Sequence, residues 1–515
     1  MVILDEKMGG RKTVKRMIRL LAMLLVLSLA LPLGCALADD GVSSTYTYNY
    51  DYWGELRESP DAYRVEQVIY SATLGLETAM RRPQSLYVNE NDLYVCDTGN
   101  NRILQLRREG KEFSLVRVID RVTGAEPETF NTPSDVSIDK EGNIYVADTN
   151  NNRVIKADKD LNYIQSFLKP DDSTFDQNLS FLPSKIVTDS MGRVFVLATN
   201  VNKGLVKFEA DGTFTGFIGA NKVKYNMWEY IWKTFFTTKE QRDQQASFVP
   251  TEYENIYIDG DGFIYATNIV FSEYDLLYDA AKPIRRLNAI GEDILIKNDR
   301  YPPIGDLKWA EQSQDYGPSK FKDITVLDND IYIAFDRTRG RVFGYDPQGI
   351  MLWAFGNKGN SEGAFLSAIS IEHMGTDLMC LDENEASITV FTPTEYGNLI
   401  YKASDQYLRG DYDGSADTWR EVLKLNANYN LAFIGIGRAL MRQEQYKEAM
   451  DYFQMAHDRE NYGRAYRYYR KILVEENIGW IVAGVACLLI IPLAVGRVKK
   501  MKWEVEEHER GKIAR

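Results

Sequence analysis

Histidine is almost missing from this 515-residue chain, which has three, and cysteine is scarce at four. The first shortage argues against a metal centre built from several imidazoles, and the second against a small fold stapled by disulfides. Basic charge is also in deficit. Sixty-one Lys and Arg face 74 Asp and Glu, for a net charge of −13. The deficit deepens in the middle, because residues 1–38 hold six basic residues against Asp5 and Glu6, and residues 496–515 hold seven against four Glu. Nucleic-acid binders draw affinity from Lys and Arg that neutralise phosphates, so no nucleic-acid partner is expected. A hydrophobic content of 44% excludes a disordered chain, and the length exceeds one average domain.

The ends carry the only long apolar runs. Arg11, Lys12, Lys15, Arg16 and Arg19 precede an apolar stretch from Leu20 to Leu33, then Ala36-Leu37-Ala38 and Asp39-Asp40. This charged, apolar, small-residue order is that of a secretory signal over residues 1–38, with lipidation at Cys35 as the alternative route of export. Residues 478–495 are uncharged over a length that just spans the hydrocarbon of a bilayer. Glu475 and Glu476 precede that stretch, and Arg497, Lys499, Lys500 and Lys502 follow it. The positive-inside tendency then places a cytoplasmic tail at 496–515 and the bulk of the protein outside a cell membrane. In that exported part Cys96 and Cys380 could pair, but two small buried strand residues are the simpler expectation.

Between the ends the sequence repeats. Pro83-Gln-Ser-Leu-Tyr-Val leads to Asp92-Leu-Tyr-Val-Cys-Asp97-Thr-Gly-Asn-Asn101-Arg102, and fifty residues on Pro133 leads to Ile144-Tyr-Val-Ala-Asp148-Thr-Asn-Asn-Asn152-Arg153. Further copies begin at Pro183, Pro250, Pro318 and Leu366, with Ala198 replacing the Asp in the third. Each copy reads as short β-branched and aromatic strands broken by Gly or Asn turns, a unit too small to bury its faces alone. Residues 63–70 upstream supply an outer strand for the last copy. Beyond residue 402 the period becomes helical. Trp419 recurs 34 residues later as Phe453, and Tyr412 as Tyr446, with small residues between them. Tyr462 to Glu475 reads as a capping helix that runs into the apolar stretch.

The first two copies resemble the NHL-repeat β-propeller family, and the 34-residue period resembles tetratricopeptide repeats. The resemblances imply an all-β six-bladed propeller at 63–402, followed by a small helical domain of tetratricopeptide type at 403–475 and one transmembrane helix at 478–495. Residues 39–62 are then a linker, and a helical insertion is expected at about 222–246. In the NHL resemblance Asp97, Asn101 and Arg102, with Asp148, Asn152 and Arg153, are structural: Asp and Asn satisfy turn backbone groups and Arg reaches a neighbouring carboxylate. Some related propellers are enzymes. Lactonase-like ones hold a divalent cation with one Glu, an Asn and an Asp in the channel, and the repeat copies do not place such a trio.

Two loops look faintly like calcium sites, Asp259-Gly-Asp-Gly262 and Asp411 to Asp417, but neither has the full ligand spacing. No catalytic or metal-binding residue and no cofactor is therefore assigned. Trp228, Trp232 and Phe235 of the insertion, with Tyr446 and Tyr452 of the helical region, are the candidate surface for a partner or a sugar ring. The reading is a membrane-anchored binding or scaffold protein outside a bacterial cell, with protein partners in the envelope and a carbohydrate or peptide ligand, accessory to a transport or envelope complex. A metal-dependent hydrolase or lyase is the alternative, and a purely structural assembly factor of the envelope a third.

Overall fold

The computed structural model describes residues 46–513 apart from 52, 176, 200, 202, 220–252, 278–280, 298–301 and 308–316. The segment read as a signal and the expected insertion at 222–246 lie outside the described residues. The rest sits in one compact unit.

Six antiparallel sheets form the blades, taken in chain order. The first four are Ser85–Asn89 to Glu112–Ile119, Pro133–Ile138 to Tyr163–Phe167, Leu182–Thr188 to Phe214–Ile218 and Asn255–Ile258 to Ile284–Leu287. The last two are Phe321–Val326 to Met351–Phe355 and Ala368–Met374 to Ser387–Pro393. Sequence position within a blade predicts burial. Second strands such as Asp92–Asp97 and Ile144–Asp148 pack on both faces and read as unbroken apolar runs, whereas the outermost strand Glu112–Ile119 alternates exposed and covered residues. In blades 2, 3 and 4 a tight Asp-x-x-Gly turn joins the first strand to the second. Asp139 Oδ1 accepts from the amides of Glu141 (3.1 Å) and Asn143 (2.8 Å), and Gly142 takes the positive φ of 84° that a side chain would resist.

The ring closes by strand exchange. Tyr63–Ile69 pairs antiparallel with Ser387–Pro393, so the first residues of the propeller complete its last blade. Cys96 and Cys380 are buried free thiols in the second strands of blades 1 and 6, and burial pushes both well above the ordinary thiol value.

Two boundaries differ from the sequence reading. The stretch read as a linker contains a ribbon, Tyr48–Tyr50 paired with Leu56–Glu58, which adds two strands to the outer edge of blade 5. Its cause is the alternation of Tyr46, Tyr48 and Tyr50. Tyr48 is fully buried, and its hydroxyl donates to Asp306 Oδ2 at 2.8 Å. Helical structure begins at Glu395, not 403, because Thr394 caps the helix by accepting from the Gly397 amide at 3.3 Å. The basic segment after the apolar stretch continues as helix to Ile513.

The helices are α1 (Glu273–Leu277) in blade 4, then α2 (Glu395–Leu408), α3 (Tyr412–Leu425), α4 (Asn430–Arg442), α5 (Tyr446–Met455) and α6 (Arg459–Ile513). Gly435 and Gly437 of α4 lie under Trp419 and Phe453, the aromatic pair of the 34-residue offset; a Cβ at either glycine would come within 2.6 Å of ring carbon. Helices and propeller share one core. Trp353, Phe355 and Phe391 of blades 5 and 6 belong to the same buried cluster as Tyr396, Trp419, Ile436, Phe453 and Ala465. The Arg438 guanidinium lies 3.7 Å from Asp346 across that junction. Past Ala465, α6 leaves the cluster and exposes Trp480, Leu488, Ile491 and Leu493; it is long and apolar enough to cross a membrane.

Candidate functional site

Two concavities stand out. The first is the mouth of the propeller channel, a pocket of about 220 Å³ lined by the inner strands of the blades. Because alternate residues of a strand face one side, each blade sends one residue inward at the same register: Ser85, Asp135, Lys185, Asn255, Asp323 and Ser370. These six side chains form two hydrogen-bonded trios. Lys185 Nζ donates to Ser85 Oγ (2.8 Å), Ser85 donates to Asp135 Oδ1 (2.6 Å), and Asp135 Oδ2 accepts from the Ile186 amide (2.8 Å). Across the channel Asp323 accepts from Asn255 Nδ2, Ser370 Oγ (2.6 Å) and the amides of Ile324 (2.7 Å) and Ile371 (2.8 Å). Ser370 Oγ in turn accepts from the Leu86 amide (3.1 Å), which ties the last blade to the first.

Two residues further along the strands Tyr87, Ser137, Tyr257 and Glu372 face the same pocket, with Thr325 behind Glu372. Thr325 Oγ1 lies 2.7 Å from His373 Nδ1 and donates to Glu372 Oε2 at 3.3 Å. Burial dominates the acid–base behaviour here. It raises Glu372 well above an ordinary carboxyl, aided by the nearby Asp323 charge, and lowers His373 to about 4. Burial also raises Asp135 and Asp323 against the opposing pull of Lys185.

The channel does gather an Asn, two Asp and a Glu, the residue types that the lactonase resemblance asks of a cation site. They do not fit one. The oxygens of Asp135 and Asp323 already receive backbone and side-chain donors, and the Lys185 ammonium, 3.8 Å from Asp135, supplies the positive charge between them. Among the described residues no group of three His, Cys, Asp or Glu is arranged to hold a metal ion. The sequence reading missed this ring, although the signal was present: the second residue after Pro83, Pro133 and Pro183 is Ser, Asp and Lys in an otherwise apolar strand.

The second concavity is larger, about 1490 Å³, between the ribbon on blade 5 and the faces of α4 and α6. Seven Lys and Arg line it against five Asp and Glu, the reverse of the balance in the whole chain. Asn49 lies at its inner wall, 8% exposed, with its Oδ1 making no hydrogen bond. Burial favours the neutral Tyr407 phenol, but the Arg442 and Arg438 guanidiniums beside it outweigh that and hold it below its ordinary value.

Of the residues proposed from sequence, Tyr446 reaches this cleft, where its ring stacks on Tyr468 at 5.2 Å; Tyr452 packs against the helical core instead. Trp228, Trp232 and Phe235 lie outside the described residues. The repeat sets sit between blades. Asp97 accepts from the Arg81 amide (2.7 Å), Asn100 Nδ2 (2.9 Å) and Arg102 Nε (2.7 Å), and Asp148 likewise from the Asn131 amide (2.7 Å), Asn151 Nδ2 (2.8 Å) and Arg153 Nε (2.9 Å). The amide donors are thus Asn100 and Asn151, one residue before Asn101 and Asn152. Those two instead take left-handed backbone at φ 54° and 55°, and Asn101 Oδ1 accepts from the Thr132 amide leading into blade 2. The calcium-like loops use their carboxylates locally. Asp259 Oδ1 accepts from the Phe263 amide at 2.8 Å, and Asp411 caps α3 through the Gly414 amide at 3.0 Å.

The NHL repeat model matches residues 80–106 and 130–156. The human NHL repeat-containing protein 3 is 33% identical over 82 residues, which are 15% of this chain and 22% of that protein. Among solved structures, virginiamycin B lyase from Staphylococcus aureus aligns over 67% of this chain and 87% of its own at 13% identity and a TM-score of 0.37. A candidate gluconolactonase aligns over 65% and 94% at 10% identity and a TM-score of 0.38. The blade count rests on the sheets themselves. The chain is a six-bladed β-propeller carrying NHL repeats, followed by a helical region that ends in one long apolar helix.

Proposed function

We propose that this protein is a membrane-anchored binding module whose propeller and helical layer act outside the cytoplasm as one rigid recognition unit. The observation that carries the reading is the shared core. Blades 5 and 6 and the helices α2 to α6 bury one continuous cluster and leave a large cleft between them, so the two parts present a single surface. An unbroken α6 then fixes that surface relative to the bilayer. The charge asymmetry around residues 478–495 favours an exported N-terminal side, and Trp480 and Trp503, both exposed, stand roughly 35 Å apart along the helix, about the separation of two interfacial aromatic belts. The tetratricopeptide-like period of α3 to α5 supports a role in protein recognition, within an envelope or transport complex. The channel ring argues against a lactonase-like hydrolase, because its acidic oxygens are engaged by internal donors.

Crosslinking of the tagged full-length protein in native membranes, followed by mass spectrometry and metal analysis of the same sample, tests this. A stoichiometric envelope partner is the expected result. A lone protein with about one tightly held divalent ion per chain, active on lactones, overturns it.

A further inference from the structure

The reading above leaves the occupant of the large cleft open, and the following inference rests on that reading. We propose that the cleft between the Tyr48–Tyr50 ribbon and helices α4 and α6 is the docking groove for an extended acidic peptide segment of a partner protein in the same membrane.

Size comes first. At about 1490 Å³ the groove exceeds the usual 300–1,000 Å³ of small-molecule sites, so a chain segment fills it better than a metabolite. Charge comes second. The chain as a whole is acidic, yet seven cations line the groove against five acids, and with the pairs Asp51–Arg57 (2.7 Å) and Glu460–Arg464 set aside five cations face three acids. Arg442, Arg459 and Arg467 present guanidiniums that match carboxylates in paired hydrogen bonds. The lowered Tyr407 phenol reports the same positive field.

Backbone recognition comes third. Asn428, Asn430 and Gln348 bring carboxamides to the lining, each with a donor and an acceptor as a peptide unit has, and Asn49 adds its Oδ1. Asn49 Oδ1 is buried without a hydrogen bond, an unsatisfied acceptor that a ligand N–H would complete. Position comes last. Arg459, Glu460, Asn461, Arg464, Arg467 and Tyr468 of α6 line the groove, and the apolar stretch begins about ten residues after the last of them, roughly 15 Å along the helix. The occupant is therefore a segment close to the membrane surface.

The test is a fluorescence anisotropy titration of the purified full-length protein in detergent with a fluorescein-labelled (Glu-Gly)5 peptide. Saturable binding is expected, with no binding of (Lys-Gly)5. The Arg442→Gln/Arg467→Gln double variant should lose affinity ten-fold or more with an unchanged melting temperature, and Asn49→Leu should weaken binding several-fold while keeping the fold. Equal affinity in wild type and the double variant overturns the proposal. So does tighter binding of tetragalacturonate than of the peptide, which reassigns the groove to an acidic glycan. If the titration fails while membrane crosslinking still recovers a stoichiometric partner, the groove assignment falls and the binding-module reading stands; if both fail, both fall.

Discussion

Tyr429 donates its hydroxyl to the carbonyl oxygen of Leu352 at 2.6 Å, and both residues are buried where the helical layer meets blade 5. Strand Met351–Phe355 already pairs on both sides, with Arg341–Tyr345 and with the Tyr48–Tyr50 ribbon. A residue of the helical layer therefore bonds directly to the backbone of an interior propeller strand, which makes the helical layer part of the domain and not a tether.

That bond gives the first prediction. Tyr429→Phe keeps the ring among its neighbours and removes only the hydroxyl. A buried carbonyl acceptor left without this donor costs about 1–3 kcal/mol. The expected outcome is a lower unfolding temperature for the full-length protein, together with faster hydrogen exchange in α2 to α5 than in blades 1 to 3. Uniform exchange across the chain would show that the junction bond does not couple the two parts.

The channel predicts two opposite pH dependences. Burial holds His373 at about 4 in the fold against an ordinary 6.5. Between those values the unfolded chain takes up a proton that the folded one refuses, so stability falls by a few kcal/mol as pH drops from 6.5 towards 4. Glu372 has the other sign. Its folded value is raised well above 4.5, so the stability held by the neutral form is present at low pH and lost as pH rises through the folded value. Thermal melts from pH 4 to 8 should show His373→Gln less sensitive on the acid side and Glu372→Gln more stable than wild type on the alkaline side.

Removal of a repeat carboxylate should cost more than an ordinary surface change. Arg153 is 3% exposed and donates to Asp148 and to the carbonyl oxygens of Glu126 and Pro127. Asp148→Ala leaves that guanidinium buried without its counter-charge and the Asn131 amide without its acceptor. Breaking a buried pair from one side costs about 3–5 kcal/mol. Chemical denaturation should register a loss of that size, whereas replacing the exposed Asp160 should move stability by less than about 0.5 kcal/mol.

Much of this architecture was legible because propeller blades are local. Four strands linked by short turns leave their pattern within fifty residues, so the Pro-to-Pro offsets, the Asp-x-x-Gly turns and the closing strand Tyr63–Ile69 can be read from the chain alone. What escaped depends on closure of the ring. Ser85, Asp135, Lys185, Asn255, Asp323 and Ser370 are scattered over 286 positions and become neighbours only at the axis. The cleft escaped for the same reason, since Asn49 and Arg467 meet across a fold junction. The repeat left one neighbouring residue unread. Three consecutive Asn follow Thr149, and only the backbone at Asn152, left-handed at φ 55°, decides that Asn151 reaches Asp148.

The helical layer offers a case in which two local rules oppose each other. Gly435 lies inside α4, where alanine is intrinsically favoured over glycine by about 1 kcal/mol. A Cβ there, however, would fall 2.6 Å from Trp419 Cε2, and Trp419 is a buried ring held between Tyr429 and the facing helix. Forcing an extra methyl into a packed core costs about 1–3 kcal/mol, so the steric penalty outweighs the propensity. Gly435→Ala should therefore lower the unfolding temperature, with a change in Trp419 near-ultraviolet circular dichroism. The control is Gly463→Ala near the start of α6, where a Cβ meets nothing within 4 Å; there propensity acts alone, and the same measurement should show a small gain.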